Sequence, residues 1–242
     1  MKEGYSKVAQ TVLKKCQESE AFQLHLNSRV EKIDYDLKCF SRENSDKSMI
    51  SISDTCKIST SKNEMTCDFA VCTAPLGVLK KAVESKENSN SILKFEPPLP
   101  SAKVDSIKHV GYGLLNKVFI QFPHSFWRKD DTKRALRGTP YLGNEELQFG
   151  NSSGLNPHHY MFFDVGFGID NPKSKDDPCI LHTLISGLDA VESEKMSDEK
   201  IVQSVVKTLR HLFSDISIPE PLAFHVSRWG NDTFSFGSYS FL

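Results

Sequence analysis

The first apolar pattern along the chain has the spacing of a helix. Tyr5, Val8, Ala9, Val12, Leu13 and Cys16 recur at i, i+3, i+4, i+7, i+8 and i+11, with Lys14, Lys15 and Gln17 outside the stripe. Beyond residue 20 the text turns to short alternating pieces, and strands are predicted over 23–26, 30–35, 49–53, 56–60 and 65–72. The polar run 41–47 separates two of them as a hairpin tip. The stretch 68–72 is expected as a buried strand that ends in the turn Thr73-Ala74-Pro75-Leu76-Gly77. Pro97, Pro98 and Pro100 fix an extended linker, and Ser101 is placed to cap a short helix carrying Val104 and Ile107.

The second half is denser in apolar residues. A strand over 115–122 turns Val118, Ile120 and Phe122 to one side and Leu115, Lys117, Phe119 and Gln121 to the other. Further strands are predicted over 160–165, 180–185 and 223–229, with an exposed loop at 171–178. A second helix starts at Ser197, with Asp198 and Glu199 in its first turn and a stripe of Ile201, Val202, Val205, Leu209 and Leu212. Two long helices and many strands, without regular βαβ alternation, predict an α+β fold.

Composition narrows the class. In 242 residues, 38% hydrophobic and 25% charged, 30 Lys+Arg oppose 31 Asp+Glu, so no charge excess points to nucleic acid or an anionic membrane. No apolar run reaches the ~20 residues of a membrane span, and the N-terminus has no signal-peptide core. Cysteines at 16, 39, 56, 67, 72 and 179, mostly in apolar text, are expected as reduced, buried thiols. No metal-ligand spacing, no Gly-x-Ser-x-Gly elbow and no Gly-x-Gly-x-x-Gly cradle occurs; Gly111-Tyr112-Gly113 precedes a strand and lacks the third glycine.

One position stands out chemically. Lys117 interrupts a strand read as apolar on both faces, and a buried ammonium must be hydrogen-bonded, hydrated or lowered in pKa. An edge-strand lysine that discourages pairing is the plain alternative. Trp229, Phe234 and Tyr239 flank the polar turn Gly230-Asn231-Asp232; such rings attract ammonium groups and stack on flat conjugated ones, or simply pack in a core.

Several blocks in order carry a family likeness. They are Gly4-Tyr5-Ser6, Leu26-Asn27-Ser28-Arg29-Val30-Glu31-Lys32-Ile33, Cys72-Thr73-Ala74-Pro75-Leu76-Gly77-Val78-Leu79-Lys80, Phe95-Glu96-Pro97-Pro98-Leu99-Pro100 and Gly111-Tyr112-Gly113-Leu114-Leu115-Asn116-Lys117-Val118. Phe126-Trp127 and Ser227-Arg228-Trp229 to Gly237-Ser238-Tyr239-Ser240 follow. Together these resemble the flavin-dependent amine oxidases, most closely the lysine-specific histone demethylases, with several blocks shared by polyamine oxidases. The resemblance implies the middle portion of a two-lobed FAD-dependent fold with mixed and antiparallel sheets. Residues 1–112 would belong to the FAD lobe and 113–242 to the substrate lobe. The Gly-rich first unit and the C-terminal Gly/Glu motif would lie outside these residues, so only part of the FAD site is expected here.

By the same resemblance Lys117 holds a water facing the flavin N5. The backbone at Val30 meets the adenine, and Thr73, Ala74 and Pro75 run close to the flavin. Trp229 packs beside the flavin, Tyr239 walls the amine pocket, and Phe234 matches an aromatic position there. Phe163 stands where the demethylases often carry Trp. The implied reaction is oxidation of a methylated lysine of histone H3 by hydride transfer to FAD, releasing formaldehyde and hydrogen peroxide. Implied partners are a methylated histone tail or a small amine, and a chromatin corepressor complex reached through other regions. The implied location is nuclear, with cytoplasmic as the alternative. A polyamine substrate and a flavin-free scaffold module are the other readings. Leu188 departs from the family's block, which has Glu after Gly.

Overall fold

The computed structural model describes residues 5–35, 56–84, 93–127, 141–142, 161–165 and 179–242. The expected strand at 49–53, the tip at 41–47 and the loop at 171–178 lie outside them. The chain forms two compact units, Met1–Val71 with Ile92–Pro98, and Cys72–Ser91 with Leu99–Leu242. The last break, between Pro98 and Leu99, falls within the proline linker.

The first unit holds α1 (Ser6–Cys16) and a sheet of β1 (Val30–Asp34), β2 (Cys56–Thr60), β3 (Glu64–Cys67) and β4 (Lys94–Glu96), in the order β3-β2-β1-β4. β1–β2 and β2–β3 are antiparallel, and β4 runs parallel to β1. The helix forms where its 3.6-residue period predicts, yet none of its residues is buried. Two expectations fail here. Residues 23–26 are irregular, with Leu24 and Leu26 exposed, because alternation alone does not supply a ladder partner. β3 stops at Cys67, and 68–72 is neither a strand nor buried: Phe69 and Val71 are 80% and 88% exposed. The thiols also differ from expectation, since Cys56 is buried but Cys72 is exposed.

The second unit carries the core. α2 (Leu76–Glu84) and α3 (Ser101–His109) precede β5 (Gly111–Tyr112), β6 (Leu115–Gln121), β7 (Tyr141–Leu142), β8 (Met161–Asp164) and β9 (Ile180–Ser186). α4 (Gly187–Ser193), α5 (Asp198–Leu212), β10 (Ala223–Val226) and β11 (Ser240–Phe241) complete it. β6 to β10 form an antiparallel sheet in the order β10-β6-β9-β8-β7, and β11 pairs with β5. Ser101 is the first helical residue of α3 rather than its cap; Pro100 holds that position, with no side-chain cap bond. Ser197 does cap α5, its hydroxyl accepting the Lys200 N–H.

The alternation of β6 and β9 decides where the core sits. Val118, Ile120, Leu181 and Ile185 are buried on one face, and Ile201, Val202, Val205 and Leu209 of α5 join them in a single cluster. Phe122, Phe126, Trp127 and Phe213 close it through edge-to-face ring contacts with centroids 4.9–6.0 Å apart. No helix among the described residues is long and apolar enough to cross a membrane.

Candidate active site

Lys117 sits mid-strand in β6, half-buried, on the face turned away from the core cluster. The strand is therefore sealed on one face only, which is how a lysine can occupy it without a buried counter-ion. Among the described residues its ammonium makes no ion pair. Its backbone is fixed by Ser227: the Lys117 N–H donates to Ser227 Oγ (2.7 Å), and the Ser227 N–H donates to the Lys117 carbonyl (2.9 Å).

A row of rings crosses four strands beside it. The pairings His225↔Phe119, Phe119↔His182 and His182↔Phe163 put these side chains on the Lys117 face, since directly paired residues share a face. His182 stacks on Phe163, with centroids 4.7 Å apart at 11°, and lies 5.2 Å from Phe119. Burial, and then the neighbouring Lys117 charge, hold the His182 imidazole below the usual histidine range. Phe163, expected here by resemblance alone, is thus brought to the lysine's face through a histidine that no motif or spacing singles out.

The C-terminal aromatic segment is tied to the same strand by a residue pointing the other way. Asn116 is fully buried. Its Oδ1 accepts the Trp229 N–H (2.9 Å) and the Ser227 hydroxyl (3.2 Å). Its Nδ2 donates to Glu194 Oε1 (2.9 Å), which also accepts the Gly230 N–H (2.8 Å). Arg228 extends the anchor by donating to the Ser193 and Met196 carbonyls and to the Asp198 carboxylate. These charge-assisted bonds fix the entry to the turn while Trp229 stays 41% exposed. An amide among core-facing positions was the one available signal for Asn116, because a buried amide must find partners. Glu194 lies 78 residues away in sequence and gave none.

Farther along, the Gly237 N–H donates to the Trp229 carbonyl, and Tyr112 Oη donates to the Ser235 and Gly237 carbonyls (3.1 and 2.9 Å). The Gly113 N–H donates to the Tyr239 carbonyl (3.0 Å), while Ser238 Oγ donates to the Leu115 carbonyl (3.1 Å). Phe234 and Tyr239 keep exposed side chains on this folded-back segment. The turn of Thr73, Ala74 and Pro75 reaches it through Gly77, where a Cβ would stand 2.2 Å from the Ser235 carbonyl oxygen. Glycine is required there by close approach, not by its dihedral angles. Lys117, Phe163, Trp229, Phe234, Tyr239 and the 73–75 turn therefore belong to one unit. Val30 opens β1 in the other unit and is described with it alone.

The arrangement offers an ammonium, two imidazoles and two phenyl rings on one sheet face, next to a segment presenting exposed aromatic rings. Such surfaces take up flat conjugated rings and aliphatic amines. No group of three or more His, Cys, Asp or Glu able to hold a metal occurs among the described residues.

Comparison with known proteins gives the same direction. The family model for flavin containing amine oxidoreductase matches residues 1–242. Lysine-specific histone demethylase 1 homolog 1 of Oryza sativa subsp. japonica is 34% identical over 78% of this chain and 19% of its own length. Lysine-specific histone demethylase 1 homolog 3 of Arabidopsis thaliana is 31% identical over 100% of this chain and 12% of its own. The chain thus spans under a fifth of the length of these two relatives. Among solved structures, putrescine oxidase bound to putrescine superposes with a TM-score of 0.60 at 18% identity, covering 96% of this chain and 40% of that one. Cyclohexylamine oxidase from Brevibacterium oxydans gives 0.53 at 13% identity, over 86% and 35%. These structures support the α+β fold, and the match along the whole sequence places the chain in the flavin containing amine oxidoreductase family.

Proposed function

We propose that this chain is part of an FAD-dependent amine oxidase domain that demethylates methylated lysine in histone H3. The observation that carries the reading is the half-buried Lys117 on an aromatic-lined sheet face, joined by hydrogen bonds to the exposed Trp229 segment. FAD is the cofactor of the family, and the residues present fit it: Trp229 and Tyr239, 41% and 62% exposed on a segment anchored from within, offer surface for a flat ring to cover. Held there, FAD would supply the oxidant for removing hydride from the N-methyl carbon.

The chain's own residues do the positioning. Lys117 holds a water at the face where the amine is oxidised, and the Asn116–Glu194 network keeps Trp229 at a fixed distance from it. Phe163 and Tyr239 wall the methylammonium, and Phe234 stands near them. Thr73, Ala74 and Pro75, and on the other unit Val30, are the further residues that would hold the cofactor in this reading. The lobes expected at 1–112 and 113–242 are part of this reading. The histone substrate rests on the relatives' names at 30–38% identity, and a nuclear location and a corepressor partner follow from it.

The test is product analysis. The FAD-loaded protein, given an H3 peptide carrying dimethyl-lysine, is expected to release formaldehyde and hydrogen peroxide in equal amounts, and to leave spermine untouched. Peroxide from spermine with no formaldehyde from the peptide would contradict the histone reading.

A further inference from the structure

His182 lies between two phenyl rings, stacked on Phe163 and close to Phe119, and these contacts restrict how its own ring can turn. Its Nδ1 is sealed from solvent with no hydrogen-bond partner among the described residues. That leaves Nε2 as the ring nitrogen able to meet a ligand. A second proton would place an N–H at the sealed nitrogen, with no acceptor and with the Lys117 charge nearby, so the ring stays neutral. Of the two neutral tautomers, the one with the N–H on Nε2 leaves a bare lone pair at Nδ1. The other would bury an orphaned donor, which native structures avoid more strictly than an under-used acceptor. His182 therefore presents a neutral N–H to this face.

The remainder of the face has the same polarity. On β6 and β9 the positions turned to this side include Lys117, Phe119, Gln121, His182 and Leu184, and none of them carries a carboxylate. On β10 the paired position is His225. A polyamine, whose nitrogens are protonated and have no lone pair to offer, finds no carboxylate counter-charge at these positions and cannot accept the His182 N–H. An amine that also carries an amide carbonyl finds a donor.

We infer that His182 is a specificity-determining residue that donates from Nε2 to a carbonyl oxygen of the substrate. The site is thereby fitted to amide-bearing N-alkylamines, such as a lysine within a peptide, over polyamines and simple alkylamines. This rests on the amine-oxidase reading of the Lys117 face. It adds a substrate feature that the reaction itself does not require.

The test compares two amines on the FAD-loaded protein: Nα-acetyl-Nε,Nε-dimethyl-lysine methylamide, and N,N-dimethylbutylamine, which lacks the carbonyl. His182→Leu is expected to raise KM about tenfold for the first and less than twofold for the second, with kcat for both nearly unchanged. His182→Gln, which keeps an N–H donor, is expected to recover most of the loss. Equal weakening for both amines, or a Gln variant no better than Leu, overturns the inference. Dissociation constants on the dithionite-reduced protein, where no turnover occurs, read binding separately. If the wild type oxidises neither amine but shows the His182-dependent binding preference, the demethylase reading fails and this inference stands. If that preference is missing from the binding constants, the inference fails whatever the activity.

Discussion

On β6, residues one apart occupy different environments. Val118 and Ile120 are 0% and 1% exposed against α5, while Lys117 and Phe119 stand half-open on the reverse side with His182 and Phe163. The core face of β6 holds aliphatic side chains plus one amide, Asn116, with both polar atoms of that amide bonded, and β9 adds Thr183, whose buried hydroxyl finds no partner among the described residues. The open face holds an ammonium, imidazoles and phenyl rings, one of them with a polar atom left unmatched. A single period-two alternation thus divides stability from chemistry, and each face can change without dictating the other. Asn116 is the exception, because its backbone neighbours serve the open face while its side chain anchors the Trp229 turn from the closed one.

Substitutions along this strand can break that division. Ile120→Ala is expected to lower unfolding free energy by about 2–5 kcal/mol, from lost transfer energy plus a cavity that α5 cannot fully close. Phe119→Ala, next in sequence but half-exposed, should cost less than half as much; equal losses in denaturant unfolding would show that the open face is core after all. Asn116→Ala comes next, at about 1–3 kcal/mol, because it strands the Trp229 N–H and leaves Glu194 short of a donor. A red shift and quenching of Trp229 fluorescence is expected with it. An unchanged spectrum would mean that Asn116 stabilises without positioning.

The first unit shows a different balance. Its sheet is largely half-buried, held by ladder bonds and exposed ion pairs such as Lys57–Glu64, which contribute little each. Many of its apolar residues, among them Tyr5, Val8, Val12, Phe69 and Val71, are exposed, and of its described residues only Cys56 and Leu93 are buried.

What the sequence made legible follows this contrast. α5 was readable to its cap, β6 by face and β9 by position, because in the second unit local pattern and burial agree. The pattern misled at 68–72, where apolar text has no strand beside it among the described residues. It also hid α2, because Pro75 and Gly77 read as turn punctuation. In fact Pro75 immediately precedes the helix, where a missing N–H is harmless, and Gly77 is set by contact with Ser235. α4 begins at Gly187, with φ +61°, and had no periodic signal of its own over seven residues. Of the site, Lys117 and the exposed aromatic rings could be picked out from residue type. His182, Glu194 and Arg228 acquire their roles only from pairings across strands and turns, which no local spacing encodes.

The most direct measurement is rapid mixing of the FAD-loaded Lys117→Met protein with a dimethyl-lysine peptide, followed by oxygen, while flavin absorbance is watched. A drop of about a hundredfold in flavin reduction or reoxidation, with the unfolding midpoint unchanged, is the expected result. Wild-type rates in both half-reactions would remove Lys117 from the chemistry and the open face from the active site.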